Sequence, residues 1–116
     1  MLPFTIVRWR GRNRSALRQW GFMDIKVAEA LSLLMMRINA NLDDSVAFVR
    51  DKCSVEELQW YRGEVGKVMG AVCLDIEEML WAEHPELRPR ELNGKYVVDP
   101  SNFEPRFYAT RRDSDK

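Results

Sequence analysis

The side chains that most often perform catalysis or bind metal ions are scarce in this sequence. Its 116 residues contain one histidine, His84, and two cysteines, Cys53 and Cys73. A zinc site needs several histidine or cysteine ligands at short spacing, and neither CxxC nor HxxxH occurs. On one helix Cys73 would stand about 16 Å from His84, and no oxyanion-hole motif accompanies Cys53. We therefore expect no metal ion, no cofactor and no cysteine-based catalysis.

Acidic side chains are the remaining candidates for acid–base chemistry or for binding a charged partner. Asp75 and Glu78 stand three residues apart on one face of a predicted helix, and Glu77 lies between them in sequence. Acidic helix faces are most often solvated surface. We therefore expect Asp75, Glu77 and Glu78 to form an acidic exterior that meets a partner protein. The alternative is a small enzyme that gathers Asp75, Glu78 and His84 around a cavity.

Two aromatic residues on the same predicted helix add a second kind of candidate contact. Trp60 and Tyr61 are adjacent in sequence and therefore point about 100° apart on a helix. They cannot both face the centre of one helix–helix seam, so one of them should border the C-terminal segment or another chain. Aromatic residues are enriched in protein interfaces. We include Trp60 and Tyr61 with the three acidic residues as candidate partner-binding residues.

Charge is unevenly distributed along the chain, although the net charge is zero. Residues 1–23 contain five arginines and no acidic residue, whereas residues 24–87 contain 13 acidic and six basic residues. An acidic body repels phosphate backbones, so a nucleic-acid interface is expected only in the N-terminal arm. Arginines that alternate with Trp9 suit phosphate contacts and base stacking. The candidate nucleic-acid-binding residues are Arg8, Arg10, Arg12, Arg14 and Arg18.

A first amphipathic helix is predicted after residue 23. Asp24 can accept hydrogen bonds at its N-terminus, and apolar residues recur at helical spacing to about Lys52. The stretch Asn39-Ala40-Asn41 weakens the helix, so we predict a break or kink near Asn41. The apolar stripe begins with Val27, Leu31, Leu34 and Ile38.

A second, longer helix is predicted to follow. Ser54 and Glu57 have the spacing of a capping box, and the His84-Pro85 pair ends the helix. The near-heptad spacing of its apolar residues favours shallow, coiled-coil-like packing against the first helix. The stripe consists of Leu58, Tyr61, Val65, Val68, Val72, Ile76, Met79 and Leu80.

Three glycines interrupt this second helix. Gly63, Gly66 and Gly70 each cost about 1 kcal/mol relative to alanine in a helix interior. Helices retain such residues where another backbone comes close. We therefore predict a tight helix–helix crossing around these glycines, either inside the monomer or between two copies.

The C-terminal part is predicted to be extended. Pro89, Pro100 and Pro105 forbid a long helix, Asn93-Gly94 is a turn signal, and residues 95–98 suit a brief strand. We expect residues 86–108 to lie across the helices, because their aromatic residues are too apolar for a free tail.

The domain organisation follows from these segments. Residues 1–22 are expected to form a basic arm without fixed structure, residues 23–108 a single helical domain with an extended C-terminal segment, and residues 109–116 a disordered tail. The predicted fold class is all-α: an antiparallel helical hairpin or small bundle with a broken first helix, a long second helix and an extended proline-containing tail. So few helices make a thin core, which favours a dimer that completes a four-helix arrangement.

Three short stretches carry a resemblance to known proteins. Met36-Arg37-Ile38-Asn39-Ala40-Asn41-Leu42-Asp43-Asp44-Ser45-Val46, Val68-Met69-Gly70 and Ala82-Glu83-His84-Pro85-Glu86-Leu87-Arg88-Pro89 resemble small helical bacterial proteins of unassigned function. The resemblance covers Asp24–Leu92, carries no catalytic motif and transfers no site residues. It implies a bacterial, cytoplasmic protein.

Together these patterns predict a non-enzymatic protein-interaction module. It would be a small regulatory, immunity-type or adaptor protein that acts as a homodimer in the cytoplasm, and its acidic body would steer it towards a basic protein partner. No segment approaches the roughly 20 apolar residues of a membrane span. The alternative is a nucleic-acid-associated protein that binds through the arginine arm, and a small enzyme is third.

Overall fold

A long first helix, α1, spans Ile25–Lys52 without interruption. The computed structural model describes residues 22–109. The Asp24 carboxylate caps α1 by accepting a hydrogen bond from the Lys26 N–H at 2.8 Å, as predicted. The predicted break near Asn41 is wrong. The Asn41 side-chain oxygen accepts a hydrogen bond from the Phe107 N–H at 3.1 Å, so it does not compete for the helix backbone.

The second helical rod runs antiparallel to α1 and contains a change of winding. It begins as α2, Val55–Ala71, continues as a π-helical segment, Val72–Glu77, and ends as α3, Glu78–Glu83. Both hydrogen bonds of the predicted capping box form, with the Glu57 N–H 3.1 Å from Ser54 Oγ and the Ser54 N–H 2.9 Å from Glu57 Oε1. The all-α prediction is confirmed, because residues 22–109 contain two long helices and no strand.

The π segment shifts the buried face of the rod by one residue. Val65 and Val72 are buried as predicted, but the next buried residue is Glu77, whereas Ile76 is 38% exposed. A π turn bonds residue i to i+5 and so holds one residue more than an α turn. The predicted heptad stripe is therefore wrong at Ile76, and it is also wrong at Val68, which is 50% exposed.

The glycines of α2 do not mark a crossing inside the monomer. A Cβ atom added at Gly63, Gly66 or Gly70 would meet no atom within 4 Å. Within residues 22–109, no other backbone approaches these glycines closely enough for a tight crossing. A crossing between two copies stays a prediction.

The main core lies where the start of α1 meets the end of the rod. Ala28, Leu80, Trp81 and Leu87 form its buried cluster. The Trp81 indole N–H donates to Ser32 Oγ at 2.9 Å, which satisfies the polar atom of the largest core side chain. This bond ties α1 to α3.

The C-terminal segment crosses the helices, as predicted. It contains three short 3-10 turns, Pro85–Leu87, Arg90–Leu92 and Pro100–Phe103. The brief strand predicted at residues 95–98 is wrong, since only an isolated bridge joins Pro89 and Tyr96.

Side-chain hydrogen bonds hold this segment to α1. The Tyr96 hydroxyl donates to Glu29 Oε2 at 2.6 Å, and Asn102 Nδ2 donates to the Leu33 carbonyl at 3.0 Å. The basic arm, apart from residue 22, and the tail beyond residue 109 lie outside the described residues. In the described part of the chain, no helix combines the length and the hydropathy needed to cross a bilayer.

Candidate functional site

The three acidic residues proposed as a partner-binding surface have different environments. Asp75 is exposed. Glu78 is half-buried, and its Oε1 atom lies 3.1 Å from Arg88 Nη1. Glu77 is only 4% exposed, because the π segment turns it inwards. The prediction that Glu77 belongs to an acidic exterior is therefore wrong.

Of the three residues considered for an enzyme site, His84 and Asp75 both lie near Phe22, whereas Glu78 pairs with Arg88. The His84 Nε2 atom lies 3.0 Å from the Met23 carbonyl oxygen, and its ring packs against Phe22 with centroids 5.7 Å apart. Asp75 lines a shallow groove with Phe22, while Glu78 pairs with Arg88. Among residues 22–109, no group of three or more histidine, cysteine or acidic side chains is placed to hold a metal ion.

The two cysteines are reduced, and neither contacts the histidine. Cys53 is exposed and Cys73 is half-buried. Burial, followed by the nearby charges of Glu77 and Glu78, raises the pKa of the Cys73 thiol above its usual value. A raised pKa favours the thiol over the nucleophilic thiolate.

Trp60 and Tyr61 point in different directions, as their spacing requires. Trp60 is 66% exposed. Tyr61 is half-buried between the helices, and its hydroxyl donates to Ser45 Oγ at 2.9 Å. Trp60 is therefore the one of the two that is available to another molecule.

Trp60 begins a continuous stripe on the outer face of the rod, which we call the outer seam. Its members alternate spacings of three and four residues, so the four within α2 lie in line along the helix, and Leu74 follows in the first half of the π segment. Trp60 and Leu74, at its two ends, are 66% and 63% exposed. Lys67 lies between them, with its Nζ atom 3.2 Å from Glu64 Oε2. The outer seam consists of Trp60, Gly63, Lys67, Gly70 and Leu74.

A cavity of about 560 Å³ lies on the other side of the rod, between α1, the rod and the C-terminal segment. Trp81 and Met36 form part of its apolar wall. Its polar lining consists of Glu77, Asn39 and Glu91. The other apolar lining residues are Pro89, Leu92, Val98, Pro100 and Phe103.

Among the acidic groups in this region, the Glu77 carboxyl has the most strongly shifted pKa. Burial, assisted by the charge of Glu78, raises the pKa of Glu77 to about 7. No hydrogen bond or ion pair joins its carboxyl to another described residue. Asn39 also lines the cavity, and its Oδ1 atom is buried and has no hydrogen-bond partner among residues 22–109. Sequence reasoning treated Asn39 only as a residue that weakens a helix.

The arginines proposed to bind nucleic acid are not part of this geometry. Arg8, Arg10, Arg12, Arg14 and Arg18 all lie outside the described residues. Nucleic-acid binding through the arm therefore stays a prediction.

Comparisons of the chain with protein-family models, with curated proteins and with solved structures find no match. The resemblance to small helical bacterial proteins stays a prediction for the same reason. Function is accordingly inferred from the residues and contacts described above.

Proposed function

We propose that this protein is a non-enzymatic protein-interaction module that forms a homodimer through the outer seam. The observation that carries the proposal is the pair of large exposed side chains, Trp60 and Leu74, that bracket two glycines on one helix face. Exposed apolar stripes of this kind are typical of interfaces.

The glycines supply the second part of the argument. Gly63 and Gly70 each cost about 1 kcal/mol of helix stability relative to alanine, and no atom of the described residues occupies the space that they leave. A second helix laid on the outer seam can approach its backbone closely at both positions. Trp60 and Leu74 then pack at the two ends of the contact.

Lys67 lies within the outer seam, but its long side chain carries the ammonium to Glu64 beside the seam, so both charges can lie at the edge of such a contact. Glu64 and Lys67 pair at 3.2 Å and keep most of their side-chain surface exposed. Interfaces commonly have an apolar centre and a polar rim. Two copies related by a two-fold axis would bury the same stripe on each, and their antiparallel helix pairs would form a four-helix arrangement.

The biological role that we propose is that of a small regulatory, immunity-type or adaptor protein in the bacterial cytoplasm. The acidic balance of residues 24–87 supports a further partner with a basic surface, because complementary charge speeds association. Glu77 has no part in that attraction, since it is buried.

The solution mass of the purified chain tests the proposal. We expect a mass of twice 13.6 kDa at micromolar concentration. Trp60→Glu and Leu74→Glu place a carboxylate in the outer seam and should weaken dimerisation by at least about tenfold, or about 1.4 kcal/mol. Both positions are exposed, so the monomer fold should be retained.

Val97→Glu is the matched control, because Val97 and Trp60 are both 66% exposed. Val97 lies in the C-terminal segment and away from the outer seam, so this variant should remain a dimer. A wild-type chain that stays monomeric at every concentration would contradict the proposal. So would equal weakening by Val97→Glu and Trp60→Glu.

A further inference from the structure

The cavity between α1, the rod and the C-terminal segment presents hydrogen-bond acceptors and acids and no basic group. Its lining contains two carboxyl groups, Glu77 and Glu91, and the unpaired oxygen of Asn39. No lysine, arginine or histidine is among the described residues that line it. The rest of the wall is apolar, which is typical of sites that bind small molecules.

Glu77 is the residue that sets this cavity apart from an ordinary surface depression. Its side chain is 96% buried, since only 4% is exposed, yet it has no hydrogen-bond partner among the described residues. Buried carboxyl groups in proteins are normally paired or hydrogen-bonded, because burial without a partner is costly. The Asn39 oxygen is a second unsatisfied acceptor in the same cavity.

We propose that this cavity binds a small organic cation with an apolar body, an ammonium or amidinium compound. Its N–H groups would donate to the Glu77 carboxylate and to Asn39 Oδ1, and its apolar part would pack against Trp81 and Phe103. The volume of about 560 Å³ falls within the range of small-molecule sites, roughly 300 to 1,000 Å³. A π-helical turn beside the site agrees with the frequent occurrence of such turns at functional sites.

An anion does not fit the same cavity. It would face two carboxyl groups and an amide oxygen with no basic side chain to receive it. A neutral apolar molecule would fill the space but would leave Glu77 and Asn39 unpaired, at a cost that hydrogen bonding to a cation removes. The chemistry of the lining therefore selects for a donor-bearing cation.

The charged groups around Glu77 determine the pH dependence of binding. On the rod, Glu78 follows it and is paired with Arg88, and the Cys73 thiol lies near enough to interact with its charge. Glu91 lines the same cavity from the C-terminal segment, and α1 contributes only the uncharged Met36 and Asn39. A cation binds the ionised form of Glu77, so binding releases a proton wherever the free protein holds one. The affinity should be constant above pH 7 and fall about tenfold for each pH unit below it.

Titration calorimetry on the full chain tests the proposal, with benzamidine as the cationic probe. Benzyl alcohol and benzoate serve as neutral and anionic probes of similar size. At a pH one unit above the pKa of Glu77, we expect benzamidine to bind at least about tenfold more tightly than benzyl alcohol. Benzoate should not bind measurably.

Glu77→Gln keeps the shape of the side chain and removes its charge. It should abolish both the preference for benzamidine and the proton release. Glu86→Gln is the matched control, because it makes the same charge change at an exposed residue outside the cavity lining. If Glu77→Gln is poorly folded by circular dichroism, Asn39→Leu should still weaken benzamidine binding by several-fold.

Three results would overturn the proposal. One is the absence of benzamidine binding at millimolar concentration. Another is equal affinity for benzamidine and benzoate. The third is unchanged benzamidine binding in both Glu77→Gln and Asn39→Leu. Because the cavity and the outer seam lie on different faces, failure here leaves the dimer proposal unaffected.

Discussion

Two carboxyl groups are almost completely buried among residues 22–109, and their surroundings differ sharply. Asp44 is 3% exposed and Glu77 is 4% exposed. Asp44 accepts hydrogen bonds from the Arg106 guanidinium, one of them at 3.0 Å from Nε, and from the Tyr108 N–H at 3.5 Å. Glu77 has neither a cation nor a hydrogen-bond donor within the described part of the chain.

The same contrast extends to two asparagines on α1. Asn41, near Asp44, accepts a hydrogen bond from the Phe107 N–H, whereas Asn39, in the cavity, has an unpaired oxygen. The residues that follow Pro105 thus satisfy the polar groups beneath them, and the cavity residues leave theirs open. Burial of a carboxyl group is therefore not enough to indicate a site, because Asp44 is buried for a structural reason. The lack of a described partner is what makes Glu77 the candidate, because burial without a partner costs free energy.

The largest expected effect on stability comes from removing the cation beside Asp44, so that this buried carboxyl group lacks a cation as Glu77 does. Arg106→Met removes the cation but keeps the length of the side chain. Breaking a buried pair leaves an uncompensated charge, so we expect the free energy of unfolding to fall by about 3 kcal/mol near neutral pH. Urea denaturation monitored by circular dichroism measures this change.

Arg50→Met is the matched control for that variant. Arg50 forms an ion pair with Asp51 at 3.0 Å, but this pair lies on the surface. Exposed pairs contribute little to stability, so the control should leave the unfolding midpoint nearly unchanged. Similar losses in Arg106→Met and Arg50→Met would contradict the distinction between a compensated buried acid and an ordinary surface pair.

A smaller, pH-dependent effect is expected for Glu77→Gln. In the wild-type protein the folded state keeps the Glu77 proton up to a pKa of about 7, whereas the unfolded state loses it near the ordinary glutamate pKa of 4.5. Stability therefore falls as pH rises through this window and levels off above it. Glutamine does not ionise, so the stability of the Glu77→Gln variant should not fall for this reason.

The free energy of unfolding of Glu77→Gln, measured relative to the wild type, should accordingly rise by about 2 kcal/mol from the acid to the alkaline side of this window. This is less than the full pKa shift implies, because the carboxyl borders a cavity that water can enter. Denaturation series at several pH values measure the difference. A constant difference across the window would show that Glu77 ionises normally in the folded protein.

The smallest expected effect separates the two asparagines. Asn39→Leu removes an unpaired buried oxygen and should stabilise the protein by about 1 kcal/mol. Asn41→Leu removes the acceptor for the Phe107 N–H and should destabilise it by about 1 kcal/mol. Thermal unfolding measures the change in midpoint temperature for each variant. A change in the same direction for both would contradict the distinction between an unpaired and a hydrogen-bonded asparagine.

The sequence predicted those parts of the fold that depend on local signals. The Asp24 cap, the Ser54–Glu57 capping box and the stop before Pro85 follow from residues adjacent to them in sequence, and all three are confirmed. The break near Asn41 was wrong because the residue that satisfies this side chain, Phe107, lies 66 positions away. A local propensity cannot report such a long-range partner.

The candidate site was less predictable than the fold. The adjacency of Trp60 and Tyr61 indicates only that one of them faces outwards, and the structure is needed to show that it is Trp60. The α-helical periodicity of the apolar stripe wrongly predicts that Glu77 lies on the surface. The π segment changes that periodicity at Val72–Glu77, and no residue type in it announces the change. The segment that encloses the cavity is irregular, so its position depends on tertiary contacts such as Asn102 to Leu33.

Because the π turn holds one extra residue, it rotates the side chains of α3 about the helix axis relative to those of α2. If Val72–Glu77 rewound as a regular α-helix, every side chain beyond it would rotate by about 100° relative to the half that contains Trp60. Ile76 would then turn inwards and the Glu77 carboxyl would move out towards solvent. The winding of this one turn therefore decides whether the rod presents a carboxyl group or a hydrocarbon side chain to the cavity, while Asn39 and Glu91 would line it in either case.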